Sequence, residues 1–472
     1  MACILQHVPF KERLSCAYVC RAWAAAAVAV PAEIVVRLNS SARCMQLQHW
    51  LRKHRDVAVQ ITVQGQRGKE PLLQLPVASL SQLRFLELRC VRAELLVQGL
   101  VTDSSARSQQ GCSHIGESSN AASSGGNAAP AAAAAVLPQL QELKLSDCQL
   151  TVEVLLQLLG TATLTKLQWE WVQVRRSSSP QMLPLQQVLA TVWQQLRQLP
   201  KLSELQLSQA HLTAEDVTPV SNLECLQHLS VRVLNRADTA TIAAAVPAGL
   251  TALTLRCLSA VPVNPDMQEE VSLARLTHLQ SFSSRCLCTR FANLAGITGL
   301  QQLRLHHPVG VFRQQLSQSG ARDLLAAVQH LTQLQHLELQ TCSLGCVVRL
   351  PQHQGADSFQ CFSALTASTQ LTALVLQDHV ILVPQAAFHH MFPAGRALPN
   401  LKVLHLSRTG YHPLSRQHVD TLQVGMIAAS CPALQELTLR GVTPDKFDTS
   451  CLLQLPPGVT RVEGLGWVRP AP

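Results

Sequence analysis

Few residues of this chain combine the types and the spacing that catalysis or metal binding requires. Gly65–Glu70 reads GQRGKE, which is shorter than a phosphate-binding loop and has Glu70 where a Ser or Thr would bind magnesium, so it is interpreted as a surface turn. Cys286 and Cys288 are one residue apart, but no second Cys or His pair follows at the spacing of a zinc site. Two pairs of adjacent histidines, His306-His307 and His389-His390, are interpreted as parts of His-rich surface loops. The sequence therefore predicts no catalytic residue, no cofactor, no metal and no enzyme.

The composition indicates what kind of molecule surrounds these residues. Of the 472 residues, 47% are hydrophobic and only 14% are charged, against about 25% charged in an average protein. The net charge of +9 is not concentrated in a run of Lys and Arg, so we expect no nucleic-acid partner. The 16 cysteines are irregularly spaced, which favours free thiols in a reducing compartment. No apolar run reaches the ~18 residues of a membrane span, so we expect no membrane association. The expected location is cytoplasmic or nuclear, and the alternative is the cytoskeleton or ciliary axoneme.

One pattern recurs along the chain: Leu, two residues, Leu, one residue, Leu. The alternation of its last two leucines with a polar residue is typical of a strand with one buried face. One such strand cannot bury this face alone, so successive copies are expected to stack into a parallel sheet. About twelve copies are present, three of them degenerate, and they begin at Leu83, Leu140, Leu164, Leu202, Leu226, Leu250, Leu279, Leu300, Leu334, Leu371, Leu401 and Leu434.

The residues after the triplet complete a resemblance to leucine-rich-repeat proteins. That family has Asn or Cys and then an apolar residue at this point, as do Cys148 with Leu150 and Cys342 with Leu344. The resemblance covers roughly residues 80–465. It implies an α/β fold, namely a right-handed leucine-rich-repeat solenoid with a curved parallel sheet on the concave face and helices on the convex face.

The segments between the triplets divide the chain further. Apolar residues at helical spacing predict helices over Leu185–Leu199, Ala321–Leu331 and Val419–Ser430. Residues 101–136 are rich in Ser, Ala and Gly and too poor in apolar residues to offset the entropy of ordering, so we expect a disordered insertion. The predicted parts are a helical segment over residues 1–30, capping strands and a helix over 31–80, and the solenoid over 81–465.

The strand pattern also predicts which side chains face the concave side. The position after the last buried residue of each triplet is Arg232, Arg256 and Arg285 in three successive strands, with His306 in the next one and Arg304 one column over. Parallel strands lie ~4.8 Å apart, so these guanidinium groups would form a row about 10 Å long. Guanidinium groups bind carboxylates and phosphates through paired hydrogen bonds. We therefore expect this row to bind an acidic or phosphorylated segment of a target protein, although a merely solvated row is the simpler alternative.

The amino-terminal segment differs from the repeats. Pro9 divides residues 1–30 into two short predicted helices, which any solenoid could use as a cap for its first strand. The segment also resembles the later part of an F-box, above all in Val19-Cys20-Arg21-Ala22-Trp23. The resemblance implies that an adaptor subunit of a cullin-RING ubiquitin ligase binds Ile4, Leu5, Pro9, Val19, Cys20 and Trp23. The Leu-Pro turn that opens the family's pattern is not present, so either the sequence starts late or the module is degenerate.

Together these features predict a protein-protein interaction scaffold. The leading hypothesis is the substrate-recognition subunit of an SCF-type ubiquitin ligase, in which the solenoid binds the target protein and the amino-terminal segment binds the adaptor. The alternative is a structural leucine-rich-repeat scaffold of the axoneme or cytoskeleton without a ligase role.

Overall fold

The three-dimensional structure is a computed structural model of the chain. It describes residues 32–38, 40–53, 58–67, 71–75, 80–95, 137–175, 181–208, 213–233, 237–257, 270–285, 290–292, 294–306, 318–340, 356–378, 387–408, 421–440, 449–463 and 467–469. The chain divides into two compact units, residues 1–203 and 204–472. The predicted insertion at 101–136 and the amino-terminal 30 residues lie outside the described residues. In the described part, no helix has both the length and the apolar character that a membrane crossing would need.

The first unit is built on a parallel sheet of five strands. These strands are hydrogen-bonded in the order β1-β2-β4-β6-β8. The described residues of the unit form three helices, α1 (Ser41–Lys53), α2 (Val152–Leu159) and α3 (Leu185–Leu196). The nine strands among these described residues are β1 (Ala32–Arg37), β2 (Ala58–Gln64), β3 (Leu72–Leu75), β4 (Phe85–Arg89), β5 (Arg92–Leu95), β6 (Glu142–Ser146), β7 (Gln149–Thr151), β8 (Lys166–Glu170) and β9 (Gln173–Arg175).

A second parallel sheet of this unit, β3-β5-β7-β9, follows the turns that leave the main strands. Cys90, Asp147 and Trp171 form equivalent corners between the two sheets, each with a φ of 51°. The Cys148 thiol beyond the second corner is buried and donates to the carbonyl oxygens of Leu88 (3.0 Å) and Ser146 (3.1 Å). Burial raises the pKa of the Cys148 thiol to about 12. These hydrogen bonds give a physical reason for the Cys that follows the triplet ending at Leu145, because its thiol satisfies two backbone carbonyl groups.

In the described part of the second unit, eleven strands form one sheet of the same design. The order is β10-β11-β12-β14-β16-β17-β18-β19-β20-β21-β22; neighbours are parallel up to β21, and β22 is antiparallel to β21. β13 and β15 form a separate parallel pair. The strands are β10 (Glu204–Ser208), β11 (His228–Val233), β12 (Ala252–Cys257), β13 (Glu270–Ser272), β14 (Ser281–Arg285), β15 (Arg290–Ala292), β16 (Gln302–His306), β17 (His336–Gln340), β18 (Ala373–Asp378), β19 (Val403–Arg408), β20 (Glu436–Arg440), β21 (Arg461–Glu463) and β22 (Trp467–Val468).

Helices and short 3-10 turns connect these strands. The helices are α4 (Ala214–Val217), α5 (Ala237–Ala245), α6 (Gln318–Gln329), α7 (Phe388–Met391) and α8 (Thr421–Ser430). Helices α3, α6 and α8 confirm the three predicted from apolar spacing. α3 ends before the predicted end, α8 begins after the predicted start, and α6 both begins and ends earlier than predicted. Several connections use 3-10 helices in place of α-helices, at Thr218–Asn222, Leu294–Gly296, Ala356–Thr366 and Thr449–Gln454.

The triplet leucines form the core of each unit. Leu337 and Leu404, from the middle of two triplets, are fully buried, and both are in register with Leu374 of the strand between them. Degenerate copies keep the same burial, since Trp169 and Phe282 take leucine positions and are also buried. The structure therefore confirms the predicted fold, an α/β leucine-rich-repeat solenoid in which each copy buries its apolar face against its neighbours.

Candidate binding surface

Residues that alternate with the buried leucines face away from the core of the second unit. We call this side of the β10–β22 sheet the open face; it is the side predicted to be concave. Arg232 follows the buried Val231 on β11, Arg256 follows the buried Leu255 on β12, and Arg285 follows the buried Ser284 on β14.

The register of these strands brings the three predicted arginines into one row. Arg232 is the partner position of Arg256, and Arg256 is the partner position of Arg285. Arg285 is exposed and the other two are partly exposed. We call these three residues the arginine row. It spans three neighbouring strands, as the spacing of the triplets predicts.

Polar neighbours surround the arginine row on its own strands. The next open-face column contains the hydroxyl residues Ser230, Thr254 and Ser283, which are also in register across β11, β12 and β14. Across the open-face positions of these three strands there is no Asp or Glu. Hydroxyl donors beside guanidinium groups suit an anion with several oxygen atoms.

Arg304 and His306 on β16 are placed differently, because both contact Glu338 of β17. The distance from Arg304 Nε to Glu338 Oε2 is 3.6 Å, and that from His306 Nε2 to Glu338 Oε1 is 3.3 Å. On β17 itself, His336 Nε2 lies 3.5 Å from Oε2, and Gln340 Nε2 donates to Oε1 at 2.6 Å. We call these five residues the Glu338 cluster.

The electrostatics of this cluster favour an ionised carboxylate. Pairing with His306 and His336 is the main reason that the pKa of Glu338 lies well below its usual range, with a smaller contribution from the charge of Arg304. Burial opposes this shift, since the Glu338 side chain is only 15% exposed. Two of the five predicted site residues, Arg304 and His306, are thus held by an internal anion.

Elsewhere on the described sheets, open-face charges meet within short distances. In the first unit, Arg89 pairs with Glu87, and Glu142 lies 3.0 Å from Lys144 Nζ and 3.7 Å from Lys166 Nζ. Near the end of the second unit, His405 Nε2 lies 2.8 Å from Glu436 Oε1, and Arg440 pairs with Glu463. Beside the arginine row, His228 Nδ1 of β11 lies 3.4 Å from Glu204 Oε1 of β10. The three strands of the arginine row have no acidic residue at their own open-face positions.

The other residues that the sequence analysis considered for chemistry fall outside this surface. Cys286, Cys288 and His307 lie outside the described residues. His389 lines a largely apolar cavity of about 680 Å³ between α7 and α8. Arg396 also lines it, but its guanidinium donates to the carbonyl oxygens of Thr366 (2.6 Å) and Ala367 (3.0 Å). Within the described ranges, no group of three or more His, Cys, Asp or Glu side chains is placed to hold a metal ion.

Sequence reasoning placed Gln340 in the same column as His306 but did not identify Glu338 or His336 as part of the surface. The signal was available in the columns, because Glu338 alternates with the triplet residues Leu337 and Leu339 and is the partner position of Arg304. Reading this middle column together with the outer one would have predicted the contact.

The predicted adaptor-binding residues Ile4, Leu5, Pro9, Val19, Cys20 and Trp23 all lie outside the described residues. Comparison with protein families addresses this segment instead: residues 1–30 match the F-box domain. A comparison with curated protein sequences finds no match.

Solved structures similar to this chain are leucine-rich-repeat proteins. A leucine-rich-repeat protein of Leptospira interrogans is 15% identical with a TM-score of 0.43, and the match covers 91% of this chain and 89% of that one. An internalin of Listeria monocytogenes is 15% identical with a TM-score of 0.39, covering 79% and 92% respectively. The chain combines an F-box match at its amino terminus with the repeat sheet described above, a combination that supports a protein-interaction scaffold.

Proposed function

We propose that this protein is the substrate-recognition subunit of an SCF-type ubiquitin ligase. The observation that carries the proposal is the combination of an F-box match over residues 1–30 with a repeat sheet that presents a long open face. An F-box is the module by which such subunits attach to the ligase adaptor, and a repeat sheet offers an extended surface for a target protein. In this role the protein binds and positions its target, and other subunits of the ligase perform the chemistry.

Each part of the chain has a separate task in this proposal. Ile4, Leu5, Pro9, Val19, Cys20 and Trp23 contact the adaptor. The arginine row, with Arg304 and His306 beside it, binds an acidic or phosphorylated segment of the target. Charge complementarity of this kind steers association and selects partners more than it raises affinity. The proposed location is the cytoplasm or nucleus.

Affinity purification of the full chain followed by mass spectrometry tests the attachment. We expect recovery of the adaptor and a cullin with the wild-type chain. Recovery should be lost when Leu5 and Trp23 are both replaced by Ala, because the substitutions remove apolar side chains from the proposed adaptor contact.

The control is the triple variant Arg232→Ala, Arg256→Ala, Arg285→Ala, which should still recover the adaptor because its substitutions lie on the sheet. Recovery of tubulin or dynein without any adaptor or cullin would contradict the ligase proposal and favour an axonemal or cytoskeletal scaffold.

A further inference from the structure

Helix α8 carries an apolar stripe on the side that faces away from the core. Val424 and Ile427 are fully buried on its inner side. On its outer side Leu422, Met426 and Ala429 recur at helical spacing, and Leu422 is 58% exposed. The outer side of a surface helix is ordinarily polar. These three residues, which we call the α8 stripe, are therefore not explained by the packing of the repeat.

The α8 stripe lines the cavity of about 680 Å³ between α7 and α8. The turn after α7 also contributes to the lining, with Phe392 and Arg396. Main-chain hydrogen bonds hold this turn at both ends, because Phe392 N donates to Phe388 O at 2.8 Å and Leu398 N donates to Ser430 O at 2.6 Å. The cavity is thus preformed, and its volume is within the ~300–1,000 Å³ of sites that bind small molecules.

Gly425 keeps part of this space open. It lies in the middle of α8, where glycine makes a helix less stable than alanine does. A Cβ atom at this position would meet only Gln454 Oε1, at 3.4 Å, which is the end of a flexible side chain. The packing of the helix therefore does not require glycine. Both Gly425 and Gln454 line the cavity, so a larger side chain between them would occupy it.

The charged groups of the cavity are cations. Among the described residues that line it, Arg396 and His389 are present and Asp and Glu are not. Arg396 Nη2 donates to the carbonyl oxygens of Thr366 and Ala367, whereas Nε and Nη1 form no hydrogen bond with a described residue. The main-chain bonds fix the guanidinium and leave two of its nitrogens as donors. Guanidinium groups bind carboxylates through paired hydrogen bonds.

We propose that the cavity between α7 and α8 is a binding site for a small carboxylic acid with an apolar body. The carboxylate pairs with Arg396, and the apolar body lies along the α8 stripe. The site lies among the helices and not on the open face, so it is a second binding site that does not depend on the ligase role.

Displacement of a neutral apolar dye, N-phenylnaphthylamine, from the full chain tests the site. The fluorescence of the dye rises when it enters an apolar cavity, and dodecanoate and dodecanol then compete with it as a carboxylate and an uncharged analogue. We expect dodecanoate to displace the dye at about tenfold lower concentration than dodecanol, because only the carboxylate accepts charge-assisted hydrogen bonds from Arg396.

Two variants separate the apolar part of the site from its charge. Gly425→Leu fills the cavity and should weaken dye binding at least about tenfold, whereas Ala428→Leu, on the same helix but outside the lining, should change it less than about twofold. Arg396→Met should keep dye binding within about twofold and lose the preference for dodecanoate. Arg275→Met is its matched control, because Arg275 Nη1 also donates to a main-chain carbonyl, that of Ala244 at 2.6 Å, and does not line the cavity. This control should retain the preference.

The thermal unfolding midpoint shows whether each variant is folded, and the preference of the wild-type chain tests the proposal even if Arg396→Met does not fold. The inference is overturned by absence of dye binding, by equal dye binding in Gly425→Leu and the wild-type chain, or by equal displacement with dodecanoate and dodecanol. A preference that persists in Arg396→Met, or is lost equally in Arg275→Met, would also overturn it. A wild-type dimer that becomes a monomer in Gly425→Leu, measured by light scattering, would instead show that a second copy of the chain covers the cavity.

Discussion

Gly65 lies in a corner of the first unit that leaves no space for a side chain. It follows β2, and a Cβ atom there would be 2.0 Å from the carbonyl oxygen of Cys90 and 3.0 Å from Pro71 Cδ. The first of these is a backbone atom of the neighbouring turn, which cannot rotate away. Gly65 thus permits successive turns to approach closely, and this explains the glycine that opens GQRGKE without any phosphate chemistry.

Gly65→Ala is expected to lower the free energy of unfolding by about 2–3 kcal/mol, because relief of the clash requires the backbone of two turns to shift. Urea denaturation followed by circular dichroism measures the change. Gly249→Ala is the control, since no atom lies within 4 Å of its Cβ position. It should stay within about 1 kcal/mol of the wild-type chain. A similar loss in both variants would contradict the steric explanation.

At the scale of the strand, each copy of the triplet is stable only through its neighbours. The period-2 alternation predicted where the strands β4 to β20 of the main sheets lie, and the structure confirms it. The short side strands β3, β5, β7 and β9 were not predicted, because three or four residues are too few to show a period. The corners at Cys90, Asp147 and Trp171 precede β5, β7 and β9, and they bring consecutive turns into hydrogen-bonding distance.

Leu337→Ala tests this dependence on neighbours. Leu337 is fully buried between Leu303 and Leu374 of the adjacent strands. The substitution should lower the free energy of unfolding by about 2–5 kcal/mol through lost burial and a residual cavity. Leu422→Ala, at a side chain that is 58% exposed, should change it by less than about 0.5 kcal/mol. Equal urea midpoints for the two variants would show that the triplet leucines do not carry the core.

At the scale of the whole molecule, the net charge of +9 is modest, but three arginines lie side by side on β11, β12 and β14. The strands β11, β12 and β14 contribute the three arginines and no carboxylate at their own open-face positions, and His228 of β11 lies 3.4 Å from Glu204 of β10. The electrostatic interaction of such exposed charges is largely screened beyond roughly 10 Å at 0.1 M salt. Target capture should therefore depend on where cations lie and not on their number.

Replacing Arg232, Arg256 and Arg285 by Ala should weaken capture of target proteins, and more strongly at low salt than at high salt, because salt screens the attraction that is lost. Quantitative pull-down at 50 mM and 500 mM NaCl is the measurement. The control replaces three exposed arginines of the helical side, Arg52, Arg197 and Arg322, and so changes the net charge equally. Unchanged partners in the first variant, or an equal loss in the control, would remove the arginine row from the binding surface.

The sequence by itself determined which triplet residues are buried, where the strands of the main sheets lie and which residues share a column. It could do so because a repeated period makes every copy bury the same positions, and stacking in register follows from that burial. Only the tertiary structure decided which charges meet. Glu338 of β17 contacts Arg304 and His306 of the neighbouring strand β16. The connection between β16 and β17 is longer than a regular repeat, so its length does not predict which residues of the two strands are partners. The contact therefore depends on strand register and on side-chain conformation. Burial repeats along this chain, whereas the pairing of its open-face charges does not.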